Sequence, residues 1–301
     1  MWCPGRGTPS PPSPSLRLKN NVLTSKDLLE GFGQIPFRDD DLLMVHSGYN
    51  SFGGVEGGAE AVVNAVNELV IPTKQGNTFW PAYTVDAWCN DHYFNIDETP
   101  GEMGVIPEVA RLMDGARRTR HPIHSFTIHG PWKHAFQFDN IESFEKRGPF
   151  GHFHDNDGLV ISVGVPWNDT ISFVHYVENQ VLAAYRKKIH FAGLYVDGWG
   201  EAKVKSFRMS ARKTKKHIMN VAPLYDQVLV PDGVVKQFTV GQAIVSWFRC
   251  QEYYDAVAPL VLERPELFHY VEEWKPKPAY VSGYYPDGEP LDDDWNGEGH
   301  A

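Results

Sequence analysis

The segment "ISFVHYVENQVLAAY", which starts at Ile171, sets His175 three residues before Glu178. Positions three apart on a helix share a face, with Cβ atoms roughly 5 to 6 Å apart, so an imidazole and a carboxylate there can act on one substrate. Histidine with an ordinary pKa near 6.5 accepts a proton at neutral pH, and a carboxylate beside it can orient the ring or hold an amine. Solvated helix faces carry the same pair without any chemistry. The helix would then simply pack through Val174, Val177 and Leu182.

A second dense segment, "GARRTRHPIHSFTIHG", places Arg117, Arg118 and Arg120, then His121, His124, Ser125 and His129, within thirteen residues. Guanidinium groups grip phosphates bidentately, so these arginines suit a phosphorylated cofactor, with Ser125 as a neutral hydrogen-bonding partner. The rival reading is a metal-dependent hydrolase built on His121, His124 and His152 or His154. No paired Asp or Glu lies near these histidines and no His-Glu-x-x-His occurs, so no metal is expected. Gly53, Gly54, Gly57 and Gly58 form a turn before a helix whose backbone N–H groups could hold an anion. The pattern matches neither the Walker A loop nor GxGxxG and serves equally as a tight strand-to-helix turn.

The elements that must position these residues follow an α/β rhythm. "TSKDLLEGFGQI" predicts a helix opened by a Thr, "DLLMVHSGY" a buried strand, and "GVEGGAEAVVNAVNELV" a glycine turn and amphipathic helix. "GNTFWPAYT" is a short apolar strand and "MGVIPEVARLMDGA" a helix. "HSFTIHG" is an alternating strand, and "DGLVISVGV" an apolar strand for the sheet centre. "SFVHYVENQVLAAY" is a helix and "KIHFAGLYV" a strand. The pattern weakens through "KVKSFRMSARKTKKHIMN" and recovers in "VGQAIVSWFRCQEYYDAVAPLVLERPELF". The expected boundaries are a disordered Pro-rich arm over 1–20, one domain over 21–275, and an acidic flexible tail over 276–301.

Composition narrows the function classes. The 301 residues carry a formal charge of -10, which argues against nucleic-acid binding. No stretch reaches the roughly 18 apolar residues of a membrane span and no secretory signal is visible, so the cytosol is the expected compartment. Cys3, Cys89 and Cys250 show no Cys-x-x-Cys spacing and imply neither disulfides nor a zinc knuckle.

Taken together, "LLMVHSGYNSFGGVEGGAEAVVNAV", "GARRTRHPIHSFTIHG", "GPF" and "NDTISFVHYVE" resemble, in order and separation, the signature segments of the aminoglycoside 3-N-acetyltransferase family. "VGQAIVSWFRCQEYYDAV" is similar to the family's last helix, so the likeness covers roughly residues 25 to 265. The chain departs from the family pattern with Thr119 for Ser, Gly148 for Ser and Ser172 for Thr.

The resemblance implies a three-layer α/β/α fold with a central mixed sheet, and acetyl-CoA-dependent N-acetylation of an aminoglycoside-like or other small amine. It places His175 and Glu178 in the active site. His46, Ser47, Gly57, Gly58, Arg117, Arg118, Thr119, His121 and Ser125 fall on the cofactor side. The Ser47 and Ser125 hydroxyls are candidate oxyanion donors, and no cysteine is placed for an acyl-enzyme, so direct transfer is expected. A CoA-binding protein without catalysis is the other alternative, disfavoured by the presence of both His175 and Glu178. A homodimer is compatible with these features. Residues 203–216 carry seven Lys or Arg and no acid. If they face the acceptor they repel a polycation; otherwise they bind CoA phosphates or face solvent.

Overall fold

The computed structural model describes residues 22–136, 138–166, 171–212, 217–219, 228–268 and 270–272. The expected arm over 1–20, the expected tail over 276–301, and residues 213–216 of the basic run lie outside them. Helix α1 (Ser25–Phe32) starts at a capping box in which the Asp27 N–H donates to Thr24 Oγ1 and the Thr24 N–H donates to the Asp27 carboxylate. The chain continues through β1 (Leu42–Ser47), α2 (Gly58–Lys74), β2 (Asn77–Pro81), α3 (Val85–Cys89), β3 (Tyr93–Asn95) and α4 (Val105–Leu112). Next come β4 (Arg117–Arg118), β5 (Phe126–His129), α5 (Pro149–Asp155), β6 (Leu159–Val163) and α6 (Phe173–Gln180). After these follow β7 (Arg186–Val196), β8 (Ala202–Arg212), β9 (His217–Met219), β10 (Lys236–Val240), β11 (Ala243–Arg249), α7 (Cys250–Glu263) and β12 (Tyr270–Glu272).

Seven strands form the main sheet in the order β10-β11-β6-β1-β2-β5-β4. Strands β6, β1 and β2 run parallel, and the remaining pairings are antiparallel. Side chains alternate along each strand, so successive residues feed opposite layers. Met44, Phe79 and Val160 pack with Phe153 of α5, Val177 of α6 and Val257 of α7. Val45, Trp80 and Ile161 pack with Phe32 of α1, Val66 of α2 and Ile106 of α4. The result is the expected three-layer α/β/α arrangement around a mixed sheet. Strand β5 departs from its alternating pattern: all four residues are buried, because both faces of the sheet are covered there.

The weak stretch after residue 200 hides a second sheet, β3-β7-β8. Strands β7 and β8 pair antiparallel over eleven residues, from Arg186↔Arg212 to Val196↔Ala202. Ile189, Phe191, Phe207 and Met209 bury one face, and Lys188 and His190 line the other. Residues 141–143 extend its free edge, with the Arg208 N–H donating to Ile141 O at 2.8 Å and the Ser143 N–H to Arg208 O at 3.0 Å. Helix α6 is shorter than its sequence suggests. Leu182 takes a left-handed φ of 55° and is 79% exposed, so it does not pack with Val174 and Val177. The chain reverses there into β7, and the Ala183 N–H returns to Glu178 O at 2.9 Å.

Candidate active site

The carboxyl ends of β1, β2 and β6 lie side by side, the usual place for a ligand crevice in a parallel sheet. Strand β1 ends in His46 and Ser47, and the Gly48 N–H binds Val163 O of β6 at 2.9 Å. His46 Nε2 and Ser47 Oγ are buried and have no hydrogen-bond partner among the described residues. Burial pushes the His46 pKa down to about 3, so its imidazole is neutral at physiological pH. Buried unsatisfied polar atoms are rare in folded proteins, and a polar ligand is one way to satisfy them. Gly57, with φ 78°, caps α2 in the left-handed region, and Gly58 follows at φ 68°. Glu60 in the first turn already complements the helix dipole.

The turn between β4 and β5 uses its polar side chains to hold the chain itself. Arg118 donates through Nη2 to Ala82 O and through Nη1 to Thr99 O, both at 2.5 Å, and through Nε to Ser125 Oγ at 3.0 Å. Ser125 Oγ donates to Ala82 O at 2.6 Å, and Thr119 Oγ1 accepts from the Phe126 N–H at 2.8 Å. His121 Nδ1 accepts from the His124 N–H at 3.3 Å, which leaves Nε2–H to donate to Ile141 O at 3.2 Å. Burial pushes the His121 pKa down to about 4. Arg118, Thr119, His121 and Ser125, expected on the cofactor side, thus spend these groups on the protein's own atoms, which assigns them to building the turn. Arg117 instead lines a cleft of about 390 Å³ with Arg120, Tyr195, Trp199 and Lys205. His175 does not line that cleft.

Helix α6 brings the predicted pair into contact. His175 Nδ1 lies 2.8 Å from Glu178 Oε2, with the imidazole side chain 16% exposed and the carboxylate 1% exposed. Two residues that sequence reading missed complete the cluster. Tyr185 Oη donates to Glu178 Oε1 at 2.8 Å, and the Arg186 guanidinium forms an ion pair with Glu178 Oε2. Arg186 Nη1 also donates to Ser210 O at 2.7 Å, which anchors it to β8. The Phe144 ring packs edge-on to His175 at 5.6 Å, held there because Asn179 and Gln180 both donate to Phe144 O at 2.9 Å. His124 stacks on the other side of Phe144 at 4.7 Å. The sequence carried no signal for this arrangement, because the helical pattern runs on through Tyr185 and the reversal at Leu182 appears only in the structure.

His152 packs against Phe136 and Phe138, and His154 against Tyr254. Among the described residues no three His, Cys, Asp or Glu side chains gather where they could hold a metal ion. No helix among them is long and apolar enough to cross a membrane.

A family model described as aminoglycoside 3-N-acetyltransferase matches residues 44–261. The SPbeta prophage-derived aminoglycoside N(3')-acetyltransferase-like protein YokD of Bacillus subtilis is 27% identical over 214 residues, which are 62% of this chain and 76% of that protein. Its crystal structure superposes with a TM-score of 0.68 at 21% identity, covering 81% of this chain and 95% of that one. Aminoglycoside N(3)-acetyltransferase III of Salmonella sp is 28% identical over 52% of this chain and 60% of that protein. AAC-IIIb in its binary complex with CoASH superposes with a TM-score of 0.68 at 16% identity, over 81% and 98% of the two chains. With the model spanning β1 to α7 and the same three-layer sheet beneath its site, this chain belongs to the aminoglycoside 3-N-acetyltransferase family.

Proposed function

We propose that the protein transfers the acetyl group of acetyl-CoA directly to a primary amine, with His175 as general base. The observation that carries this reading is the 2.8 Å contact between His175 Nδ1 and the buried Glu178 carboxylate. A carboxylate requires a donor, so the proton sits on Nδ1 and the ring's lone pair sits on Nε2. An ammonium has no lone pair with which to attack a thioester. The ammonium first releases one proton to solvent; as the free amine nitrogen then bonds to the carbonyl carbon, Nε2 takes a further proton from it, the C–S bond breaks, and the imidazolium gives that proton to the departing CoA sulfur. Acetyl-CoA and amine thereby give acetamide and CoA thiol. Of the described cysteines, burial raises the thiol pKa of both Cys89 and Cys250, which suits neither as an acyl carrier.

Acetyl-CoA suits the crevice at the ends of β1 and β6, where His46 Nε2 and Ser47 Oγ have no hydrogen-bond partner among the described residues, and Arg117 in the cleft at the β4 edge is the candidate for a CoA phosphate. A solved neighbour of the same fold in complex with CoASH supports CoA as the co-substrate. The acceptor is a small amine with fewer positive charges than an aminoglycoside. Strand β8 supports this: it carries Lys203, Lys205 and Arg208 with no acid between them. A thiol-release assay with acetyl-CoA and a panel of cationic and anionic amines tests the whole reading. Release of CoA with formation of the N-acetyl amine is expected for at least one class, and no acetylated product from any amine would refute it.

A further inference from the structure

Both carboxylate oxygens of Glu178 are engaged inside the protein. Oε1 accepts from Tyr185 Oη, and Oε2 faces both His175 Nδ1 and the Arg186 guanidinium. Arg186 Nη2 also lies 2.5 Å from His175 Nδ1. A guanidinium nitrogen only donates, so with the proton on Nδ1 this approach is not a hydrogen bond and the shared carboxylate oxygen holds the two groups together, whereas with the proton on Nε2 it would be one. An ion pair as deeply buried as Glu178 and Arg186 is retained only when further hydrogen bonds satisfy it, and here Ser210 O and Tyr185 supply them.

We infer that Arg186 and Tyr185 are positioning residues that clamp Glu178 in its ionised form, so that Glu178 orients the His175 ring and is not the group that holds the acceptor's ammonium. This rests on the reading of His175 as the base and refines it. The clamp makes the carboxylate and guanidinium a neutral pair, and the acceptor's charge must therefore be met elsewhere. It also balances the base. Glu178 favours the imidazolium and Arg186 opposes it. The buried His124 also interacts electrostatically with His175. Burial, followed by the charges of His121, His175 and Arg186, pushes the His124 pKa well below its ordinary value. His124 therefore adds no competing charge.

Three variants separate this role from simple structural support. In Arg186→Gln the carboxylate is uncompensated, so the imidazolium is favoured and the acid limb of the kcat–pH profile moves up by about one pH unit. At pH 7 kcat falls about two- to fivefold, the loss of neutral imidazole that a one-unit rise near neutrality produces, while KM for acetyl-CoA changes little. Arg186→Lys restores the charge and returns the limb towards its original position. Tyr185→Phe removes one hydrogen bond without changing charge, and moves the limb less than Arg186→Gln does. The decisive measurement does not depend on turnover: nitrogen-15 NMR of the His175 ring is expected to show the Nδ1–H tautomer in the native protein and a raised titration midpoint in Arg186→Gln. An Nε2–H tautomer, or a midpoint unmoved in folded Arg186→Gln and Tyr185→Phe, overturns the clamp. If the ring behaves as expected and His175→Ala retains normal turnover, the clamp stands and the general-base assignment falls.

Discussion

The turn between β4 and β5 and the start of helix α6 both concentrate basic side chains, and they use them in opposite ways. In the turn, Arg118 binds the carbonyls of Ala82 and Thr99, and His121 is satisfied by Ile141 O and the His124 N–H. In α6, His175 meets other side chains, the Glu178 carboxylate and the Arg186 guanidinium, and keeps part of its surface open to solvent. A side chain that saturates main-chain atoms is held by the folding free energy and has little left to offer a ligand. A side chain poised against another charge keeps a proton site whose affinity its neighbour can tune. The first arrangement builds the turn, and the second keeps the proton site on which the proposed chemistry rests.

Replacing His175 by Ala should have the largest effect of any single change: kcat falling about 100-fold or more with CoA affinity little altered, in line with usual general-base contributions. Steady-state kinetics and calorimetric CoA binding check it, and near-normal turnover would erase the contrast with the turn histidines. Arg118→Ala should act on folding. It strands the buried Thr99 carbonyl and leaves Ala82 O to Ser125 Oγ, with an expected loss of about 2 kcal/mol in urea unfolding. Arg117→Ala should leave stability nearly unchanged and weaken CoA binding. If Arg118→Ala instead unfolds like the native protein and weakens CoA alone, the turn binds the cofactor after all.

The pH dependence of stability gives a smaller and graded test. His46 and His121 have folded pKa values pushed down to about 3 and about 4, below the ordinary value near 6.5. In that window the unfolded chain binds protons that the folded one does not, so stability is full above pH 6.5 and is lost as pH falls. The slope approaches about 1.4 kcal/mol per pH unit for each histidine. Urea unfolding of His121→Gln should show a flatter acid limb than the native protein, and an unchanged slope would mean that His121 is not held neutral. The smallest effect concerns the acceptor. Lys205→Glu with Arg208→Glu should raise kcat/KM for cationic amines only a few-fold, because both side chains are half-buried at a surface where salt still screens much of their field. Efficient acetylation of an aminoglycoside by the unmodified protein would show that the described part of the basic run faces away from the acceptor.

The sequence by itself determined what depends on near neighbours. Thr24 and Asp27 form their capping box, Gly57 turns left-handed before α2, and the apolar runs of β1 and β6 become strands buried on both faces. His175 and Glu178 meet because three residues on a helix return to the same face, whatever surrounds them. Tertiary structure decided the rest. Whether Glu178 would be a wet helix edge or a buried anion depended on the reversal at Leu182, which brings Tyr185 and Arg186 back across it. Phe144 reaches His175 only because Asn179 and Gln180 capture its carbonyl from 35 and 36 residues away. Arg118 looked like a phosphate ligand in the sequence, and Ala82 O and Thr99 O, 36 and 19 residues away, took its donors. Residue type fixes what a side chain can bind, but which partner it finds is set by where distant segments of the chain return, and spacing along the sequence carries no record of that.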